Sequence, residues 1–199
     1  MASVPPLPSP RLFVRATVTN FFFFLSMNGF VLLPLYIQQL GGNEIEIGMV
    51  MGLYSGVGIV CQPLIGPWVD VIGRRPFMLA GVALNIAASL LAALPGGVPL
   101  LALVRVIQGL AFSTFFVGGV TYIGSLAPST LTGTAQGLFA ATAGLATIVG
   151  SSLGGVVATA VTIPGLFIAA GILHLIAAVV VTFAIRRGPG TRRVPAMPA

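Results

Sequence analysis

The sequence contains no lysine, a single cysteine, a single histidine and only three acidic residues among 199. Each shortage excludes something. One cysteine, Cys61, rules out an internal disulfide, and its place in an apolar run reads as a small packing residue. With so few His, Cys and carboxylate side chains, no cluster has the spacing of metal ligands. No metal is therefore expected, and no other cofactor is assigned. Charged residues make up 6% of the chain, against about 25% in soluble domains, which excludes an ordinary soluble domain. The nine basic residues are all arginine and leave a net charge of +6. They flank apolar runs and form no patch, and no nucleic-acid motif accompanies them, so no nucleic-acid partner is expected. Residues 1–10 hold four prolines and no charge. They lack an apolar run with a small-residue cleavage site, so the expectation is a disordered cytoplasmic lead rather than a signal peptide.

What fills the chain is hydrocarbon: 57% of its residues are hydrophobic. A membrane-spanning helix needs about 20 apolar residues, and the uncharged runs divide into six such lengths. The first span is expected over roughly Leu12 to Leu40, with Phe21 to Phe24, Asn20 and Asn28 inside it and a kink at Pro34 near its outer end. The second covers Ile47 to Val69, with Gly48, Gly52 and Gly56 four apart as a stripe that admits a close neighbour. The third runs Phe77 to Leu94. Val106 to Ile185 holds no formal charge over 80 residues. Turn chemistry at Ala127-Pro128-Ser129-Thr130 and Thr162-Ile163-Pro164-Gly165 cuts it. The fourth, fifth and sixth spans are thus Leu100 to Gly124, Gly133 to Ala160 and Pro164 to Ile185. The fold class is an all-α integral membrane protein, a six-helix bundle over residues 11–187, followed by a basic cytoplasmic tail at 188–199. Eight of nine arginines fall on one side of this topology and both glutamates on the other. The positive-inside rule places both termini in the cytoplasm.

Two sets of polar residues stand out. Gly66, Asp70, Gly73, Arg74 and Arg75 lie between the second and third spans, in a charged turn that must sit outside hydrocarbon. Gly66 and Gly73 are read as the residues that free the backbone there, and Pro76 as an opener of the next helix. Inside the membrane, Arg105 shares a helical face with Gln108 and Phe112, and Gly109 leaves room beside them. An arginine at that depth faces a bundle interior or an aqueous cavity, or snorkels from the helix end. His174 is the other deep ionisable group, a candidate proton site or a neutral residue bonded to a neighbouring helix. Asn28, Asn85 and Gln136 are weaker candidates. No acidic residue lies in a membrane core, which excludes a carboxylate relay within these residues alone.

Three stretches combine into a resemblance. Gly66-x3-Asp70-x2-Gly73-Arg74-Arg75 resembles the loop between helices two and three of major facilitator superfamily transporters. Arg105-Val106-Ile107-Gln108-Gly109 is similar to that family's helix-four signature. Gly144-x5-Gly150-Ser151-x2-Gly154-Gly155 is similar to the glycine-rich helix-five packing motif of its proton-coupled exporters. The resemblance covers the amino-terminal six helices of a family that normally carries twelve. It implies two inverted three-helix repeats and a rocker-switch transporter with substrate near the midplane. It further implies Asp70 and Arg74 as a cytoplasmic latch, and Arg105 as a cavity residue tuning a proton site. Val71 stands where the loop motif usually has a basic residue, Ser151 where the exporter motif has proline, and Leu131 and Thr132 where the next loop has a basic residue.

The resulting expectation is a non-enzymatic secondary transporter in a plasma membrane, the inner membrane of a bacterium. It exports small amphipathic molecules using the proton gradient and needs a second six-helix half or self-association to close its pathway. Its substrate or proton pathway is expected to use Arg105, Gln108, Asn28 and His174, and no residue is assigned a catalytic role. Three alternatives remain: proton-coupled uptake of a sugar or organic anion, a non-transporting membrane subunit, and an intramembrane serine protease using Ser151 or Ser152 with His174.

Overall fold

The computed structural model describes residues 10–184. The amino-terminal lead and the basic tail lie outside the described residues. Seven α-helices follow one another: α1 (Pro10–Met27), α2 (Leu33–Gln39), α3 (Glu44–Ile72), α4 (Arg74–Ala92), α5 (Gly97–Leu126), α6 (Thr132–Ala160) and α7 (Ile163–Ala184). Together they make six stretches long and apolar enough to cross a membrane, α1 and α2 sharing the first.

The first span is not one continuous helix. It passes through a 3-10 turn at Asn28–Phe30 before resuming as α2. The cause is Pro34, at the start of α2. Proline lacks the N–H that would bond the carbonyl four residues earlier, and its ring clashes with that carbonyl. Here that carbonyl belongs to Phe30, so the break lies before the proline, deeper than the expected outer-end kink. Asn43 then caps α3 through a reciprocal pair: its Oδ1 accepts from the Glu46 N–H at 2.9 Å, and Glu46 Oε2 accepts from the Asn43 N–H at 2.9 Å.

The charged turn is tighter than its sequence suggests. Gly66, Pro67 and Asp70 belong to the last turns of α3, which runs through Pro63 and Pro67. Only Gly73 separates α3 from α4. Its φ of 106° is a region that side chains with a Cβ avoid. Gly66 has no such demand. Arg75 Nη2 then donates to the Thr182 carbonyl at 2.8 Å, near the end of α7. This turn therefore sits at the same end of the bundle as the close of α7, and the even number of spans brings α1's start there too.

The packing has an internal symmetry. α5 packs on α4 and on α3, α1 on α7 and on α6, and α4 on α7. Exchanging spans one to three with four to six maps this pattern onto itself. Span six on one matches span three on four, span two on four matches span five on one, and span three on six maps to itself. An odd number of spans per repeat makes the two repeats inverted. Close approaches rest on missing side chains. A Cβ on Gly81 of α4 would fall 2.7 Å from the Ala111 carbonyl of α5. One on Gly109 of α5 would fall 2.7 Å from the Tyr54 carbonyl of α3. The room beside Arg105 is thus filled by the α3 backbone. By contrast, a Cβ on Gly48, Gly52 or Gly56 would meet nothing within 4 Å. That stripe faces outward, and no described helix packs into it. α3 and α6 are the least buried of the spans.

Candidate functional site

The break in the first span opens onto a cavity of about 310 Å³. Phe24 and Met27 of α1 line it, with Asn28, Phe30 and Val31 at the break. Met51 and Tyr54 come from α3, Arg105 from α5 and Thr147 from α6. Met51 and Tyr54 are three apart and so share a helical face.

Arg105 is 6% exposed. Its Nη1 donates to Gln108 Oε1 at 3.1 Å, one turn along α5. Its Nη2 reaches the Phe30 carbonyl at 3.5 Å and Met51 Sδ at 3.1 Å. The carbonyl released by Pro34 is thus the one that receives the guanidinium. The cation also lies 5.9 Å from the Phe30 ring centre and 5.6 Å from that of Tyr54. Arg105 is enclosed by protein at the cavity wall, and the snorkelling alternative does not describe it. Gln108 is fully buried behind Arg105 and orients it.

Asn28 ties the break to α6. Its Nδ2 donates to the Phe24 carbonyl at 2.7 Å and to Thr147 Oγ1 at 3.2 Å, while its Oδ1 accepts from Ser151 Oγ at 3.3 Å. Gly150 permits this. A Cβ there would lie 2.7 Å from the Asn28 Cβ and 2.9 Å from the Leu25 carbonyl. Gly154 lies along the same seam, whereas Gly144 and Gly155 face open space. The helix-five motif therefore packs against the first span through two of its four glycines.

His174 lies elsewhere. It is fully buried on α7, with Nδ1 2.9 Å from the Ala170 carbonyl and its ring edge-on to Phe23 at 5.7 Å. It does not line the cavity. Ser151 Oγ is directed to Asn28, and Ser152 Oγ to the Ile148 carbonyl at 2.9 Å. Neither serine is bonded to His174, so the protease dyad is not assembled. Asp70 and Arg74 flank Gly73 at the far end of α3 and α4, away from the cavity lining. The sequence reading missed Phe24, Met27, Phe30, Val31, Met51, Tyr54 and Thr147. Tyr54, a polar aromatic mid-span, was the one with a usable signal.

Comparison with known proteins agrees on the family. The Major Facilitator Superfamily model matches residues 16–198. An uncharacterized MFS-type transporter of Methanocaldococcus jannaschii is 30% identical over 156 residues, covering 76% of this chain and 40% of that protein. The multi-drug resistance efflux pump PmrA of Streptococcus pneumoniae is 28% identical over 152 residues, covering 74% of this chain and 38% of that protein. The multidrug transporter MdfA of Edwardsiella ictaluri is 36% identical over 86 residues, 43% of this chain and 20% of that protein. The chain thus spans about two fifths of the length of the first two relatives. The crystal structure of the peptide transporter POT in complex with sulfate superposes with a TM-score of 0.72 at 19% identity, over 85% of this chain and 37% of that one. That likeness is one of fold.

Proposed function

The chain belongs to the Major Facilitator Superfamily, and from that premise we propose that it forms one wall of a secondary transporter exporting small amphipathic molecules by alternating access. The observation that supports this is Arg105. A guanidinium is retained in a membrane span because it borders a cavity and is held by a broken helix. Around that one cation the wall is aromatic and thioether: Phe24, Phe30, Tyr54, Met27 and Met51. Such a surface suits a flat apolar body with a hydrogen-bond acceptor or negative group at one end. Similarity to relatives named as multidrug transporters supports export. The absence of any carboxylate from the cavity lining favours a second reading, proton-coupled uptake of an organic anion.

On the leading reading, the outward faces of α3 and α6 receive a second six-helix half or another copy, which supplies the opposite wall. Asp70 and Arg74 latch the end at which Gly73 turns the chain. That end faces the cytoplasm of a bacterial cell, so both termini do too. Proton coupling then uses a carboxylate contributed from outside the described residues.

Transport into vesicles of known orientation, with and without an imposed pH gradient, tests this. Gradient-driven accumulation of a fluorescent amphipath in inverted vesicles, lost in Arg105→Leu, is the expected result. Flux indifferent to the gradient removes proton coupling, and flux unchanged by Arg105→Leu removes the cavity assignment.

A further inference from the structure

A second polar group lies in the core, apart from the cavity. Asn85 and Ser89 of α4 and His174 of α7 are all fully buried. None of them lines the cavity. A Cβ on Gly171 of α7 would come 3.3 Å from the Ser89 Cβ, so the two helices nearly touch at that level. α4 and α7 cross the bundle in opposite directions. One turn from Ser89 toward the Gly73 end of the bundle stands Asn85, and almost one turn from Gly171 toward that same end stands His174. The two are therefore level.

Their directions also converge. On α4, Asn85 projects between Gly81, which meets α5, and Ser89, which meets α7. On α7, His174 projects between Ala170, which meets Gly29 in the first span, and Gly171, which meets α4. Both aim at the centre of α1, α4, α5 and α7. There Phe23 stacks on Phe115 at 3.6 Å and meets the His174 ring edge-on.

The hydrogen-bond inventory there is incomplete. The Ala170 carbonyl can only accept, so its 2.9 Å contact puts the His174 proton on Nδ1 and leaves a lone pair on Nε2. That Nε2, both amide atoms of Asn85 and Ser89 Oγ are buried without a protein partner. In hydrocarbon no bulk solvent can satisfy them, and unpaired buried polar atoms are rare in folded proteins. A cation would find only neutral ligands here, because Glu44, Glu46 and Asp70 all lie at helix ends, Glu44 and Asp70 exposed and Glu46 half-buried, and an uncompensated charge at this depth is heavily penalised. Water both donates and accepts, and it fits an inventory of two acceptors, one amide donor and one hydroxyl.

We propose that Asn85, Ser89 and His174 form a buried site for one or two structural water molecules, each making about three hydrogen bonds, that bridge α4 to α7. The site joins the two inverted repeats at their shared contact, where span three meets span six.

The test uses the fact that His174 is the sole histidine. Histidine labelled with nitrogen-15 in the chain, reconstituted in lipid vesicles, gives one ring to observe by solid-state NMR. The expected spectrum shows Nδ1 protonated and Nε2 bare but hydrogen-bonded. Magnetisation transferred from water should reach the His174 ring at least twice as fast as it reaches the buried Phe23 ring. In Asn85→Leu the transfer should fall at least twofold, and the Nε2 resonance should shift. A ring as dry as Phe23, or a proton on Nε2, overturns the proposal. So does a folded Asn85→Leu variant with unchanged transfer. If that variant fails to fold, Ser89→Ala gives the same reading, and the unsubstituted chain decides the matter alone.

Discussion

Arg105 donates to a side-chain amide, a carbonyl and a thioether from one planar head. Lysine brings a single compact ammonium and cannot reproduce that fork. Arg105→Lys should therefore lower flux on the order of tenfold, about 1.4 kcal/mol in the barrier, while the thermal midpoint barely moves. Equal flux in both proteins would show that charge alone is used. Gly150 gives a sharper structural contrast. Gly150→Leu drives a side chain into Asn28 and the Leu25 carbonyl, whose atoms lie 2.7 and 2.9 Å from the new Cβ position. The expected cost is about 1–3 kcal/mol, read as a lower melting temperature in detergent. Gly144→Leu, with nothing within 4 Å, should leave that temperature in place. The sequence placed both glycines in one motif, and helical spacing alone could not separate the packed from the open ones. What separates them is which face of α6 the first span occupies.

Breaks and turns belong to the next scale. Pro34 frees the Phe30 carbonyl, and that carbonyl takes the Arg105 guanidinium. Pro34→Ala restores an N–H that competes for the same acceptor. The first span should then run straighter, with slower amide exchange across residues 31–36 and weaker binding of a fluorescent amphipath. Exchange as fast as in the parent chain would show that the break has another cause. A proline in the first span was visible in the sequence, as was its power to kink. Its partnership with Arg105 was not, because the two residues lie 71 positions apart. The Phe30 carbonyl and the guanidinium meet only because the first span crosses α5 beside α3. The turn at Gly73 was legible in outline, since glycine, aspartate and two arginines in a row belong outside hydrocarbon. Its tightness was not, because α3 continues through two prolines that a sequence reading takes as ends.

At the scale of the molecule, burial is uneven from span to span. Gly48, Gly52 and Gly56 of α3 face open space, and α3 and α6 are the least buried spans. A Gly52→Cys, Cys61→Ser double variant should crosslink in native membranes at low expression, to a second six-helix partner or to another copy. Its own melting temperature should be unchanged. A chain that stays monomeric under crosslinking and still transports would remove the need for an opposite wall. The sequence by itself determined the six spans, the charged turn and the membrane arginine. Each follows from the cost of placing charge or bare backbone in hydrocarbon, which composition and run length report directly. Tertiary structure alone decided which polar groups share a space. It put Asn28 and Arg105 on one cavity and turned His174 into the core with Asn85 and Ser89. That assignment depends on which helix faces meet, and in a chain this uniformly apolar no amphipathic pattern marks those faces in advance.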